Sequence, residues 1–370
     1  LSFTLMHKDT PVANINIQDN MLRVELVINP AHLPYGTKRS RDIDSAINDW
    51  NDTRCIPYNR PNYAEICELL NMRNNSDLLA YSYMCSLTDC YWFKPSGMDV
   101  SWKDVNFYQN SFSSNLYKPL FFNKFDEPIN TLNTPDLTTN GVLPKMWIEH
   151  DGHFILLKTH SKNAVRDANM EVVSSRLLTA LGVDCVQYEM FEYDGKLCST
   201  CENFIRSDKE EFVSIQNFIK DCGNISSGDM LNKLRNFGLA KEIDNMILGD
   251  YLIGNTDRHQ LNYGVIVDSE AQTIKRFAPL FDHGNSYLFG DIGFIDYLPT
   301  GRSFNKSIQF LEETTLALSE KINICTIKHA MDETMLTPDE KATICGIIVK
   351  RLDTIRELCR ERNERDARER

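Results

Sequence analysis

The stretch Gly249 to Val267, G-D-Y-L-I-G-N-T-D-R-H-Q-L-N-Y-G-V-I-V, followed by Ala278 to Ser286, A-P-L-F-D-H-G-N-S, constrains this chain more than any other feature. An apolar helix ends at Gly254 and a polar loop carries Asp257 and Asn262. A strand follows from Tyr263 to Val267, and a second strand, Thr273 to Phe277, leads to Asp282. A hairpin of those two strands brings two carboxylates and an amide together. Phosphoryl transfer needs that inventory: one carboxylate to take the proton of an attacking hydroxyl, and an amide oxygen with a second carboxylate to hold Mg²⁺.

Parts that suit the same chemistry lie upstream. Thr138 to Lys145, T-T-N-G-V-L-P-K, offers a candidate phosphate loop in which Thr139, Asn140 and Gly141 present backbone. His153 to Thr159 reads as a buried strand delivering Lys158, and Asn169 to Leu181 as a helix with Glu171 at the edge of its apolar stripe and Gly182 as its cap. Glu171 is placed to pair with Lys158, whose ammonium would reach the α- and β-phosphates of ATP. The competing readings are a strand-end surface lysine and a solvated helix-edge carboxylate. Arg258 reads as half of a structural ion pair, His259 as a loop-holding hydrogen bonder and His283 as a packing residue.

The order of loop glycine, strand lysine, helix glutamate, N-x-D-R-H-x-x-N and P-L-F-D resembles the HipA-like serine/threonine kinases, from about Thr138 to Asp332. The region before Asn123 resembles that family's small amino-terminal subdomain. The resemblance implies an α+β class, a two-lobed protein-kinase-like fold with a mixed amino-terminal subdomain (1–125), an N-lobe (126–205), a mainly helical C-lobe (206–360) and a charged tail (361–370). It further implies Asp257 as catalytic base, Asn262 and Asp282 as Mg²⁺ ligands, Lys158 as the ATP phosphate contact and Thr138 at the place of an autophosphorylated serine. The substrate would be a protein Ser or Thr hydroxyl, with an antitoxin or regulator as partner. The aspartate here reads D-H-G rather than D-F-G, and no DNA-binding antitoxin is visible in this chain.

Composition narrows the alternatives. Of 370 residues, 40 are Lys or Arg and 52 Asp or Glu, a formal charge of −12 that argues against nonspecific nucleic-acid or membrane binding. No apolar run reaches the ~18 residues of a membrane span, and the amino end lacks a signal peptide's order of charge and apolar run. A soluble cytoplasmic protein with reduced thiols is expected, since eleven cysteines cannot all pair. Cys198 and Cys201 form the one CxxC, without a second pair to complete a zinc site; the alternative is two strand residues on one face. Two other function classes stay open: a metal-dependent phosphoesterase or nuclease built on Asp257, His259, Asp282 and His283, and a nucleotide-binding pseudokinase.

Elsewhere the pattern predicts a strand through Leu22, Val24, Leu26 and Ile28, helices over Tyr63–Met72, Ser76–Met84, Phe212–Lys220 and Gly238–Ile253, and a linker over Asn123–Asn140. A hairpin should turn at Asp194-Gly195, and a last helix, Pro338–Cys359, should precede a frayed tail.

Overall fold

The computed structural model describes all residues except 1, 62, 74, 81–82, 113–132, 160–163, 224–226, 288–295, 298–299, 301 and 370. In chain order the elements are β1 (Ser2–His7), β2 (Thr10–Gln18), β3 (Met21–Val27), α1 (Ile43–Arg54), α2 (Tyr63–Leu69), β4 (Tyr91–Pro95), α3 (Trp102–Val105), β5 (Lys145–His150), β6 (His153–Lys158), α4 (Ala164–Leu181), β7 (Glu189–Tyr193) and β8 (Lys196–Glu202). They continue as β9 (Glu210–Ser214), α5 (Ile215–Lys220), α6 (Ser227–Leu234), α7 (Ala240–Ile253), β10 (Gly264–Asp268), β11 (Ile274–Phe277), β12 (Asp296–Tyr297), β13 (Arg302–Ser303), α8 (Phe304–Ile308), α9 (Glu313–Leu316), α10 (Ile324–Ala330) and α11 (Pro338–Glu369). Two compact units interleave along the chain: one takes Leu1–Ser161, Glu202–Asn224 and Gly264–Arg276, the other Lys162–Cys201, Ile225–Tyr263 and Phe277–Arg370.

The first unit contains an antiparallel sheet of order β3-β2-β1-β4 and a second sheet of order β11-β10-β9. Phe3, Leu5, Ile15 and Leu22 pack with Ile47 and Trp50 of α1 and with Phe93, because the sheet can bury an apolar face only against a helix. The expected alternation in β3 fails halfway. Asn14 pairs with Leu26 but Ile15 with Val24, so Glu25 is an extra residue. A bulge of this kind flips every later side chain, and Leu26 is 58% and Ile28 46% exposed. The helix expected over Ser76–Met84 is a 3-10 turn, Asn75–Ala80. Phe212–Lys220 is helical only from Ile215: Glu210 to Ser214 pair with β10, and Ser214 Oγ caps α5 by accepting from Asn217 N at 3.3 Å. Of the expected linker, 123–132 lie outside the described residues, and Pro135–Thr138 form a 3-10 turn.

The second unit is mainly helical. Gly182, at φ 89°, ends α4 as expected, and Gly249 lets α7 approach α4, since a Cβ there would sit 2.6 Å from Leu178. The β7–β8 hairpin pairs Tyr193 with Lys196, and its turn residues Asp194 and Gly195 both have positive φ, 49° and 75°, as a type I′ turn demands. Cys198 and Cys201, three residues apart, alternate across β8 instead of sharing a face; Cys198 is buried and Cys201 half-buried. All eleven cysteines are free thiols. The frayed tail is instead helix: α11 runs to Glu369. Its Arg362 donates to Leu311 O at 2.6 Å and to Gln309 O, and Arg and Glu are good helix formers. Among the described residues no helix is long and apolar enough to cross a membrane.

Gly264 opens β10 opposite Ser214, where a Cβ would collide with Val213 O and lie 2.6 Å from the Phe212 ring. Gly264→Ala should therefore destabilise the chain by about 1–3 kcal/mol, as overpacking does, read as a lower urea midpoint. An unchanged midpoint would show that β9 can give way.

Candidate active site

In the second unit the loop from Gly254 to Tyr263 is built around one guanidinium. Helix α7 stops at Gly254, whose φ of 64° is left-handed. A Cβ there would press on Arg351, which donates to Leu252 O at 2.8 Å. Arg258, 1% exposed, then turns back onto the helix and meets Asp250 in a two-pronged ion pair, Nε to Oδ2 and Nη2 to Oδ1, both 2.9 Å. Its remaining donors go to Asn262 O at 2.9 Å, to Phe281 O and to His283 Nδ1 at 3.1 Å. One side chain thus ties the helix end, the loop and the segment carrying Asp282. The planar fork of Arg suits this and the compact ammonium of Lys does not.

Asp257 and Asn262 are fixed by what surrounds them. Asp257 N donates to Asn255 Oδ1 at 3.0 Å, and Asn262 Nδ2 donates to Asp257 O at 3.1 Å, which fixes the orientation of the Asn262 amide. His259 holds the loop as expected: its carbonyl accepts from Asn262 N at 2.8 Å and its Nδ1 from Leu261 N at 3.3 Å. Asp282 has φ 60°, a left-handed conformation uncommon outside glycine, and its N–H donates to Tyr188 Oη at 3.1 Å. Burial pushes the Asp257 carboxyl above the usual carboxylate range; His259 and Arg258 oppose that shift and Asp282 adds to it. Two half-buried carboxylates that repel each other, with an amide oxygen on the same loop, make a hard oxygen donor set of the kind that Mg²⁺ takes.

Glu171 is fully buried rather than at a solvated helix edge. It accepts from the Ser199 hydroxyl, and a Cβ on Gly284 of the D-H-G would lie 3.7 Å from its Oε1. Helix α4 therefore runs beside the segment that carries Asp282.

The other candidates belong to the first unit. Lys158 ends β6, opposite Lys145 in β5, and at 2% exposure it is not a surface lysine. Lys145 Nζ donates to Asn140 O at 3.0 Å and passes over Gly141, whose φ of 112° and lack of Cβ make room for it. Arg60 holds the same turn from the other side, donating to Thr139 O and Gly141 O, each at 2.8 Å. The Gly141 amide is engaged by Asn140 Oδ1 at 2.6 Å. Thr138 is buried, its hydroxyl donating to Cys85 O at 2.8 Å and Pro135 O at 3.0 Å, and Thr139 Oγ1 accepts from Trp147 Nε1 at 2.9 Å. Asp250, Ser199, Tyr188 and Arg60 carry no motif of their own. Only the i, i+8 spacing of Asp250 and Arg258 across a helix end hinted at one pair.

No protein-family model matches this sequence, and no curated protein does. The HipA toxin–antitoxin system of Shewanella oneidensis MR-1, solved as a complex of HipA, HipB and operator DNA, has a similar structure. The TM-score is 0.60 at 13% identity, over 96% of this chain and 97% of that one. The Helicobacter pylori proinflammatory kinase CtkA matches 60% of this chain and 95% of its own, at 17% identity and a TM-score of 0.49. The chain shares the fold of that HipA structure, an α+β architecture.

Removing one partner from a buried ion pair strands the other charge, at about 3–5 kcal/mol. Arg258→Ala should lower stability by that amount in chemical unfolding. Arg258→Lys should recover only part of it, because one ammonium cannot serve Asp250, Asn262, Phe281 and His283 together. Full recovery by lysine would show that charge alone matters.

Proposed function

We propose that this chain is an ATP- and Mg²⁺-dependent phosphotransferase that phosphorylates Ser or Thr hydroxyls of a protein. The observation that carries the reading is the set of Asp257, Asn262 and Asp282 on one Arg258 frame in a chain of this fold. Asp257 orients the attacking hydroxyl and takes its proton as the oxygen bonds to the γ-phosphorus and the β–γ bridging oxygen leaves. Asn262 and Asp282 hold the cation, which neutralises charge on the triphosphate. Lys158 contacts the α- and β-phosphates, and Glu171 fixes that lysine. Thr139, Asn140 and Gly141 form the loop over the nucleotide. Lobe boundaries at 125, 205 and 360 belong to the same proposal.

The phosphoesterase alternative needs His283 as a cation ligand, yet the ring faces the Arg258 guanidinium, which repels a cation. A pseudokinase would bind nucleotide without transferring label from γ-labelled ATP. We assign Thr138 as the autophosphorylation site. Its hydroxyl is bonded inside a closed turn, so modification requires that turn to open, and the added charge of about −1.5 to −2 keeps it from closing again beside buried Asp136. The operator DNA with HipA and HipB runs against the expectation of no direct nucleic-acid contact.

Asp257→Asn should lower transfer by about 10²–10⁴-fold while ATP binding persists, whereas Asp282→Ala should weaken Mg²⁺-dependent ATP binding as well. Titration calorimetry separates them, and equal loss of binding in both would sink the roles. The raised Asp257 carboxyl gives a further sign: its charged form costs stability above its folded pKa. Asp257→Asn should then melt higher than wild type at neutral pH, with the gap closing as acid neutralises the wild-type carboxyl. Lys158→Met should lose transfer with an unchanged melting temperature, and full activity would remove Lys158 from the phosphate contacts. Mass spectrometry after incubation with ATP and Mg²⁺ should find phosphate on Thr138 in wild type and none in Asp257→Asn; an unmodified Thr138 in an active chain rules the site out.

A further inference from the structure

Far along the chain from the loop just described, the first unit brings three different metal-ligating groups into one buried cluster. His7 ends β1, Cys90 directly precedes β4 and Glu211 lies on β9, and their ligand atoms all fall within 4.8 Å of one another. Each residue is buried: His7 and Glu211 are 2% exposed and Cys90 is 0%. His7 Nε2 lies 3.0 Å from Glu211 Oε1, which also accepts from Cys90 N at 2.7 Å, while Glu211 Oε2 accepts from Gln272 Nε2 at 2.8 Å. Cys90 Sγ lies 3.3 Å from Asp208 O.

We propose that His7 Nε2, Cys90 Sγ and Glu211 Oε1 form a binding site for a zinc-class divalent cation that clips the amino-terminal sheet to β9. Mixed nitrogen, sulfur and oxygen donors suit Zn²⁺, and a thiolate excludes Mg²⁺ and Ca²⁺. The charge closes as well: one carboxylate and one thiolate balance a dication, so the buried centre is neutral. On binding, the Cys90 Sγ–H bond breaks and its proton leaves to solvent as the S–metal bond forms, while the proton that His7 Nε2 shares with Glu211 Oε1 is displaced through solvent so that the ring keeps only its Nδ1 proton.

The outer contacts fit a ligating imidazole. His7 Nδ1 lies 3.0 Å from His32 Nδ1. With His7 Nδ1 as donor in the bound state, that contact orients the ring with Nε2 toward the cation, the arrangement in which an outer partner holds a metal-bound histidine.

The test titrates the full chain, freed of metal by chelation, with Co²⁺ as spectroscopic probe and then Zn²⁺. One equivalent of Co²⁺ should give a thiolate-to-cobalt charge-transfer band that Zn²⁺ abolishes. Cys90→Ser should lose the band and Cys201→Ser should keep it. Gln272→Ala, which leaves all three ligands, should weaken binding about 10–100-fold, as loss of an outer-shell partner does. Zn²⁺ should raise the melting temperature of wild type and not of Cys90→Ser. Absence of stoichiometric binding, or a band that persists in Cys90→Ser, overturns the site. Neither outcome bears on phosphotransfer, because none of these residues belongs to that machinery.

Discussion

The buried Arg258–Asp250 pair is the constraint on which the second unit's loop from Gly254 to Tyr263 depends. A guanidinium removed from water is tolerated only when every donor finds an acceptor, and Arg258 reaches that state through Asp250, two backbone carbonyls and His283. The requirement is mutual. The carbonyls of Asn262 and Phe281 are held because Arg258 needs them, so the residues flanking them, including Asp282, have little freedom to move. Asp257 and Asp282 can then be kept near each other despite their repulsion, on segments that the Arg258–Asp250 ion pair holds in place.

A second arginine does comparable work in the first unit. Arg60, 2% exposed, covers the carbonyls of Thr139 and Gly141, while Lys145 covers that of Asn140. Consecutive carbonyls capped by cations give a turn with a definite shape despite its single glycine. Glycine-rich phosphate loops reach such shapes through backbone freedom; this turn reaches one through side-chain donors. The threonines at 138 and 139 are closed into the same arrangement, so any chemistry at Thr138 is coupled to opening it. In the same unit, His7, Cys90 and Glu211 come from segments 204 residues apart at the extremes, and their convergence is a property of the two sheets rather than of any local pattern.

How far the sequence could be read depended on whether the decisive interaction was local. Helix ends at Gly182 and Gly254, the turn at Asp194-Gly195 and the spacing of Asp257 and Asn262 were legible, because φ preference and loop length act over a few residues. The buried strand that ends in Lys158 and the helix that carries Glu171 were legible, but the burial of Glu171 was not: a 3.6-residue stripe cannot say that a neighbouring hydroxyl, Ser199, covers its edge. The flip in β3 escaped because a bulge is set by the partner strand. The strand at Glu210–Ser214 escaped because pairing with β10 overrides a helical pattern, and the carboxyl-terminal helix because carbonyls at Gln309 and Leu311 receive Arg362. The amino-acid order by itself determined which groups are present, where the helices before Gly182 and Gly254 end, and where the hairpin turns. Tertiary structure decided which charges are buried and which partners share them, since burial and long-range hydrogen bonding depend on segments that the local sequence does not contain.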